Sequence, residues 1–321
     1  MIRRAFLASA AATLLPGRAG AQPRVYRLGT LSTGQVSIES LRRWGLPELA
    51  REGFVVGRNL TLIERSSEGD AARLDSLAAE IAAARPDVAI AVSNPAAHAL
   101  RRHAPALPIV MGFSGTDPVA DGLAASLAHP GGLVTGVVML AEELDAKRIE
   151  LARDLRPGIR RLGFLAGSTF TPARIQATQA AAQRIGLELV LVQAGGRETY
   201  PAAFAALSAG GAEMLVIASF PGFASNTEAL AALATAARLA TICEWSDMVR
   251  AGCTASFGPV NAELRRRVAS FVVRILRGEA PGNIAMEQAT RFELAVNPRA
   301  AGAIGFDLPS VILARADEMI E

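Results

Sequence analysis

Short apolar runs alternate with amphipathic stretches along almost the whole chain. Runs such as DVAIAVS and AEMLVIASF are nearly continuous in apolar residues, whereas stretches such as AARLDSLAAEIAAARP have helical periodicity. Continuous apolar runs are typical of strands that helices cover on both faces. The alternation therefore predicts an α/β protein built on parallel sheets with right-handed helical crossovers.

This pattern occurs twice in tandem, which indicates two similar lobes in the 321-residue chain. The second series begins with EELDAKRIELARDLRP. A late helix, VNAELRRRVASFVVRILRGEAP, and a last strand, RFELAVN, are expected to cross back between the lobes. The predicted division is residues 22–140 plus about 261–285 for lobe I, and residues 141–260 plus about 286–321 for lobe II.

The stretch TDPVADGLAASLAHPGG follows the fourth predicted strand of lobe I. Thr116 or Asp117 can cap a helix with Pro118 in its first turn, and Pro130 with two glycines would end that helix. A short helix is therefore predicted between the fourth and fifth strands.

The first 21 residues have the features of an export signal. MIRRAF is basic, LASAAATLL is a modest apolar segment, and AGA supplies small residues for cleavage. RRAFLA resembles a twin-arginine signal, although an ordinary export signal with two arginines fits as well. A periplasmic location is expected.

Charge gives no reason to expect nucleic-acid binding. Residues 1–21 contain three arginines and no acid, so the chain after them has as many basic as acidic residues. The stretch ELRRRVASFVVRILRGE is predicted to be the solvated face of an amphipathic helix, and it does not form a basic patch.

Motifs of common enzyme classes are absent from the sequence. The only lysine, Lys147, lies outside any glycine-rich P-loop, and no dinucleotide fingerprint follows the first strand. His98 and His103 are five residues apart and do not share a helix face as a metal pair would. No catalytic residue, metal or cofactor is expected. Cys243 and Cys253 can form a disulfide or remain buried thiols.

Small polar and aromatic residues follow most of the predicted strands. Ligands of open α/β sheets bind at the carboxyl ends of the strands, and helix N-termini there favour anions such as carboxylates. Asp117 or Glu244 can pair with an ammonium group, although a capping role alone also explains Asp117, and packing alone explains Trp245. The candidate ligand-binding residues are Ser32, Thr33, Ser93, Asn94, Phe113, Gly115, Asp117, Ser168, Thr169, Ser219, Phe220, Glu244 and Trp245.

Several segments together resemble one known family. The stretches DPVADGLAASLAHPGG, ELDAKRIELARDLRPGIRRLGFL, RRRVASFVVRILRGEAPGNIAMEQATRFELAVN and LPSVILARADEMIE are similar to those of ABC-transporter substrate-binding proteins. The branch concerned includes binding proteins for tryptophan and other aromatic amino acids. The resemblance implies a type I periplasmic-binding-protein fold, whose two Rossmann-like lobes close on a ligand, and no catalytic residues.

The leading hypothesis is an exported protein that captures an amino acid or related carboxylate and delivers it to an ABC permease and its ATPase. The alternatives are a periplasmic sensor that reports its ligand to a signalling partner and an exported α/β enzyme. A monomer is expected.

Overall fold

The computed structural model describes residues 24–112, 115–139, 141–168 and 170–320, and it contains two β-sheets. The predicted signal peptide lies outside these residues. The strands are β1 (Tyr26–Ser32), β2 (Leu60–Ser66), β3 (Val88–Val92), β4 (Ile109–Met111), β5 (Val134–Val138), β6 (Arg161–Gly167), β7 (Glu188–Ala194), β8 (Met214–Ile217), β9 (Ala240–Cys243), β10 (Ala255–Pro259), β11 (Glu287–Gln288), β12 (Phe292–Val296) and β13 (Glu318–Met319).

Helices connect these strands as the apolar pattern predicts. The helices are α1 (Gln35–Ser40), α2 (Leu46–Arg51), α3 (Leu74–Ala83), α4 (Asn94–His103), α5 (Ala141–Leu155), α6 (Pro172–Arg184), α7 (Tyr200–Ala209), α8 (Pro221–Ala224), α9 (Thr227–Ala236), α10 (Ser246–Arg250), α11 (Asn261–Leu276), α12 (Pro298–Ala303) and α13 (Ser310–Arg315). A π-helical turn at Leu41–Gly45 joins α1 to α2. None of the helices in the described ranges is long and apolar enough to cross a membrane.

The two sheets confirm the predicted α/β architecture. The first has the order β11-β5-β4-β3-β1-β2, and the second has the order β13-β12-β10-β9-β8-β6-β7. The described pairs of the first sheet are all parallel, and in the second sheet the β10–β12 pair is antiparallel. The first sheet with its helices is called the first lobe below, and the second sheet with its helices is called the second lobe.

The chain passes between the lobes three times. It leaves the first sheet after β5, returns after β10 to form α11, and leaves again after β11. Helix α11 packs on β3, β4 and β5 of the first sheet. Its buried face includes Leu264, Val268, Phe271 and Val272, whose spacing of three or four residues suits one helical face.

The prediction of a helix at residues 118–130 is wrong. This segment forms turns and bends. One turn starts as expected, because the Asp117 carboxylate accepts a hydrogen bond from the Val119 backbone N–H at 2.8 Å. Gly122 then adopts a left-handed φ of 68°, which an α-helix does not allow, and the turn ends there.

Cys243 and Cys253 form a disulfide, which resolves the two alternatives that the sequence left open. The bond joins the end of β9 to the residues before β10, and both cysteines are fully buried. It therefore closes a short loop that contains α10.

Replacing both cysteines by alanine should lower the free energy of unfolding by about 2–4 kcal/mol, because the unfolded chain would lose a cross-link. Urea titration with and without reductant measures this effect. The stability of the double variant should not change with reductant, whereas the stability of the reduced parent should fall toward that of the double variant. Equal stability of parent and double variant would contradict the structural role of the bond.

Candidate functional site

The carboxyl ends of the two sheets approach each other closely at Gly34. This residue follows β1 of the first lobe, and a Cβ atom placed on it would lie 2.7 Å from the Ser225 hydroxyl oxygen and 3.0 Å from the Pro221 carbonyl oxygen of the second lobe. The φ of Gly34 is −156°, an extended conformation that any residue adopts. The absence of a side chain here therefore serves the contact between lobes and not the local backbone.

The candidates of the first lobe mainly organise their own loops. The Ser32 hydroxyl donates to the Gly34 carbonyl at 2.7 Å, and Ser93 caps α4 by accepting a hydrogen bond from Ala96. The buried Asn94 amide donates to the carboxylate of Asp121. The Thr33 hydroxyl is buried and has no hydrogen-bond partner among the described residues.

Candidates on the loops after β4 and β6 are less buried. Asp117 is exposed, Gly115 is half-buried, and Ser168 is exposed. Phe113 and Thr169 lie outside the described residues. The ligand-binding roles assigned to all five from sequence stay predictions.

Ser219 and Glu244 meet in a buried polar cluster at the ends of β8 and β9. The Arg148 guanidinium donates to the Ser219 hydroxyl at 3.0 Å and to Asp145 at 2.9 Å, and Arg174 donates to the other oxygen of Asp145 at 2.7 Å. Glu244 lies in the same cluster, close to Ser219 and Arg148.

Burial raises the pKa of the Glu244 carboxyl, and the nearby positive charge of Arg148 opposes this rise. One Glu244 oxygen and one terminal Arg148 nitrogen are buried without a described partner. Sequence reasoning found Glu244 but missed Arg148, because helix α5 looked like an ordinary amphipathic helix.

Two aromatic candidates pack beside this cluster. Phe220 is buried, and its ring lies edge-to-face with Phe223 at 5.0 Å between centroids. The same ring lies against Gly167. Trp245, which precedes α10, is 8% exposed and lines a cavity.

This cavity of about 410 Å³ lies between the lobes. The first lobe contributes α1 and the start of α11, whereas the second lobe contributes Trp245, α10 and the beginning of α9. Among the residues proposed from sequence, Trp245 is part of its wall.

Arg265 is the main wall residue that the sequence reasoning missed. Arg265 is 4% exposed, whereas its neighbours Arg266 and Arg267 are exposed. The prediction that this arginine-rich stretch forms a solvated face is therefore wrong for Arg265. Arg265 directly follows Leu264 and lies next to the apolar stripe of α11, and this position could have indicated that it is buried.

The sheet order, the three crossings and the cavity between the lobes define a type I periplasmic-binding-protein fold. The ABC transporter substrate binding protein family matches residues 42–320, and the chain belongs to this family. The resemblance noted in the sequence is thereby confirmed. Substrate-binding proteins of this kind are not enzymes and are typically extracytoplasmic, and they imply a small-molecule ligand and an ABC transporter partner.

Several known proteins are similar to this chain. The tyrosine-binding protein of Clostridioides difficile (strain R20291) is 23% identical over 264 residues, which is 81% of this chain and 75% of that protein. The structure of a conserved domain protein from Vibrio cholerae O1 biovar eltor str. N16961 has a TM-score of 0.84 at 24% identity, covering 92% of this chain and 100% of that one. An ABC domain in complex with L-Trp from Streptococcus pneumoniae has a TM-score of 0.82 at 21% identity, with the same coverage.

A Gly34→Ala substitution should weaken ligand binding with little effect on the stability of the ligand-free protein. We expect the lobes to separate when no ligand is bound, so the new methyl group should press on Ser225 and Pro221 mainly in the bound state, where such overpacking costs about 1–3 kcal/mol. Calorimetry with the tightest-binding amino acid of a panel of twenty should show at least roughly fivefold weaker binding.

Gly132→Ala is the matched control, since a Cβ there meets nothing within 4 Å and its φ is not in the left-handed region. Equal affinity of the Gly34→Ala and Gly132→Ala variants would show that the contact between lobes is not part of the bound state.

Proposed function

We propose that this protein is an exported solute-binding protein that captures an amino acid or a related carboxylate between its lobes and delivers it to an ABC importer. In this proposal the lobes are residues 22–140 plus about 261–285, and residues 141–260 plus about 286–321. The observation that carries the proposal is the cavity of about 410 Å³ that residues of both lobes line, with Trp245 in its wall.

The size and chemistry of the cavity suit such a ligand. Small-molecule sites generally occupy 300–1,000 Å³ and combine apolar surface with a few polar groups. Here Trp245 and Met248 supply apolar surface, while Asp247, Asn261 and Arg265 supply polar groups. The names of two relatives, which refer to tyrosine and to bound L-Trp, favour an aromatic amino acid.

Buried polar atoms without partners support binding between the lobes. The hydroxyl groups of Thr33 in the first lobe and Ser225 in the second have none among the described residues, and Ser225 also lines the cavity. Buried hydroxyl groups are rarely left without a hydrogen bond, so such atoms mark places where a ligand or water binds.

A thermal-shift screen tests the ligand class. The twenty L-amino acids form the main panel, with indole-3-acetate as a related carboxylate and myo-inositol as an uncharged control. A ligand at one hundred times its dissociation constant should add about 2.7 kcal/mol to the free energy of unfolding. Stabilisation by the sugar alcohol with none by any amino acid or carboxylate would overturn the proposal.

Uptake of the radiolabelled ligand then distinguishes transport from sensing. Deleting the gene should abolish high-affinity uptake, and restoring it should recover uptake. Unchanged uptake together with a lost transcriptional response to the ligand would instead support the periplasmic sensor.

Export through the twin-arginine route is a separate prediction. Replacing both Arg3 and Arg4 by lysine should retain the precursor in the cytoplasm, whereas Arg18→Lys, in the same segment, should not. Mass spectrometry of the periplasmic protein should find Gln22 or a residue close to it as the N-terminus. Normal export of the double variant would exclude this route, and an intact Met1 in the periplasmic protein would exclude cleavage.

A further inference from the structure

The buried guanidinium of Arg265 lacks an ion-pair partner among the described residues. Its Nε donates to the Asn261 side-chain oxygen at 3.2 Å, and one terminal nitrogen donates to the Gly112 carbonyl at 3.4 Å. Both acceptors are uncharged. Burial lowers the pKa of Arg265 to about 10, so the side chain keeps its charge at neutral pH. A buried cation of this kind is costly unless an anion joins it.

The opposite charge lies one amide away. The Asn261 amide nitrogen donates to one oxygen of Asp247 at 3.2 Å, so Asn261 connects Asp247 to Arg265. The other Asp247 oxygen accepts a hydrogen bond from Arg250 at 2.9 Å. A carboxylate oxygen can accept more than one hydrogen bond, so the oxygen shared with Asn261 retains capacity for a donor in the cavity.

Arg265 and Asp247, two of the four charged residues that line the cavity, match the head group of an amino acid. The α-carboxylate and α-ammonium groups are attached to one carbon, so their receptors must lie side by side, as Arg265 and Asp247 do on either side of Asn261. Trp245 lies two residues before Asp247 and is part of the same wall, next to the place that the remainder of the ligand would occupy.

We propose that Arg265 binds the α-carboxylate of the ligand and Asp247 its α-ammonium group, so that the site selects amino acids over amines and simple carboxylic acids. This inference rests on the proposed function and assigns the residues that set its specificity. It replaces the two ammonium partners considered from sequence. Asp117 is exposed on its loop, and Glu244 lies in the cluster with Ser219; neither is in the cavity wall.

The test compares each amino acid that binds with its decarboxylated amine and its deaminated acid, for example L-tryptophan, tryptamine and indole-3-propionate. Calorimetry is performed on the full protein and on the Arg265→Gln and Asp247→Asn variants. Each variant should bind the amino acid about 30-fold or more weakly, as for loss of a buried charge partner.

The analogues identify which group each residue binds. Arg265→Gln should leave affinity for the amine nearly unchanged, and Asp247→Asn should leave affinity for the acid nearly unchanged. Arg265→Lys should retain part of the affinity for the amino acid that Arg265→Gln loses. Arg266→Gln is the matched control on the exposed neighbour and should bind as the parent does.

Stability to urea tests whether Arg265 has a merely structural role. The Arg265→Met substitution removes a buried cation that has no ion-pair partner among the described residues. It should therefore leave the ligand-free protein at least as stable to urea as the parent. A large loss of stability in that variant, or an equal loss of affinity for all three ligands in Arg265→Gln, would overturn the assignment.

The proposed function fails separately from this inference. If the parent protein binds neither an amino acid nor a related carboxylate, both are wrong. If it binds only carboxylates that have no ammonium group, the assignment of Arg265 and Asp247 is wrong and the proposed function stands. If the parent binds an amino acid and the Arg265→Gln and Asp247→Asn variants bind it equally well, the assignment of Arg265 and Asp247 is wrong and the proposed function stands.

Discussion

Three short chain crossings hold the carboxyl ends of the two sheets against each other, and the remaining features of the site depend on this arrangement. Loops that would face water on a single sheet are partly buried here, and their polar groups must find partners within the protein or in a ligand. Ser32, Ser93 and Asn94 find partners in their own lobe. At Gly34 the lobes approach so closely that a side chain has no room.

The two lobes solve the problem of buried charge differently. In the second lobe, the Asp145 carboxylate forms ion pairs with both Arg148 and Arg174, so part of this buried charge is matched within one cluster. In the first lobe, α11 brings Arg265 beneath the end of β4 with uncharged acceptors only. A charge matched within the protein does not need a ligand, whereas a charge left for a ligand makes stability depend on binding.

The fold was largely predictable because continuous apolar strands and amphipathic helices give strong local patterns. The turns at residues 118–130 were not predictable in the same way. A capping Asp followed by a proline indicates the start of a helix whether one turn or several turns follow. Tertiary contacts that the sequence does not show decide the outcome there: Asp121 bonds Asn94 and Thr116, and Gly122 turns the chain.

The candidate site was predicted only in part. The rule that ligands bind at strand ends led to Ser219, Glu244 and Trp245, of which Trp245 lines the cavity between the lobes. A strand-end rule does not recognise residues on helices, which is why Arg148 on α5 and Asn261 and Arg265 on α11 were missed. Arg265, Arg266 and Arg267 are consecutive, and only the side of the helix on which each lies distinguishes the buried Arg265 from its exposed neighbours. Their charge suggested that all three would be exposed.

The late position of α11 in the chain has a consequence for biosynthesis. This helix covers β3, β4 and β5, yet it is made after the whole of the second sheet apart from β12 and β13. Domains usually fold in order as the ribosome produces them. Here the first lobe cannot complete its core until residue 276 has been synthesised, so the N-terminal half of a growing chain must wait, with apolar strands uncovered, for a segment near the C-terminus.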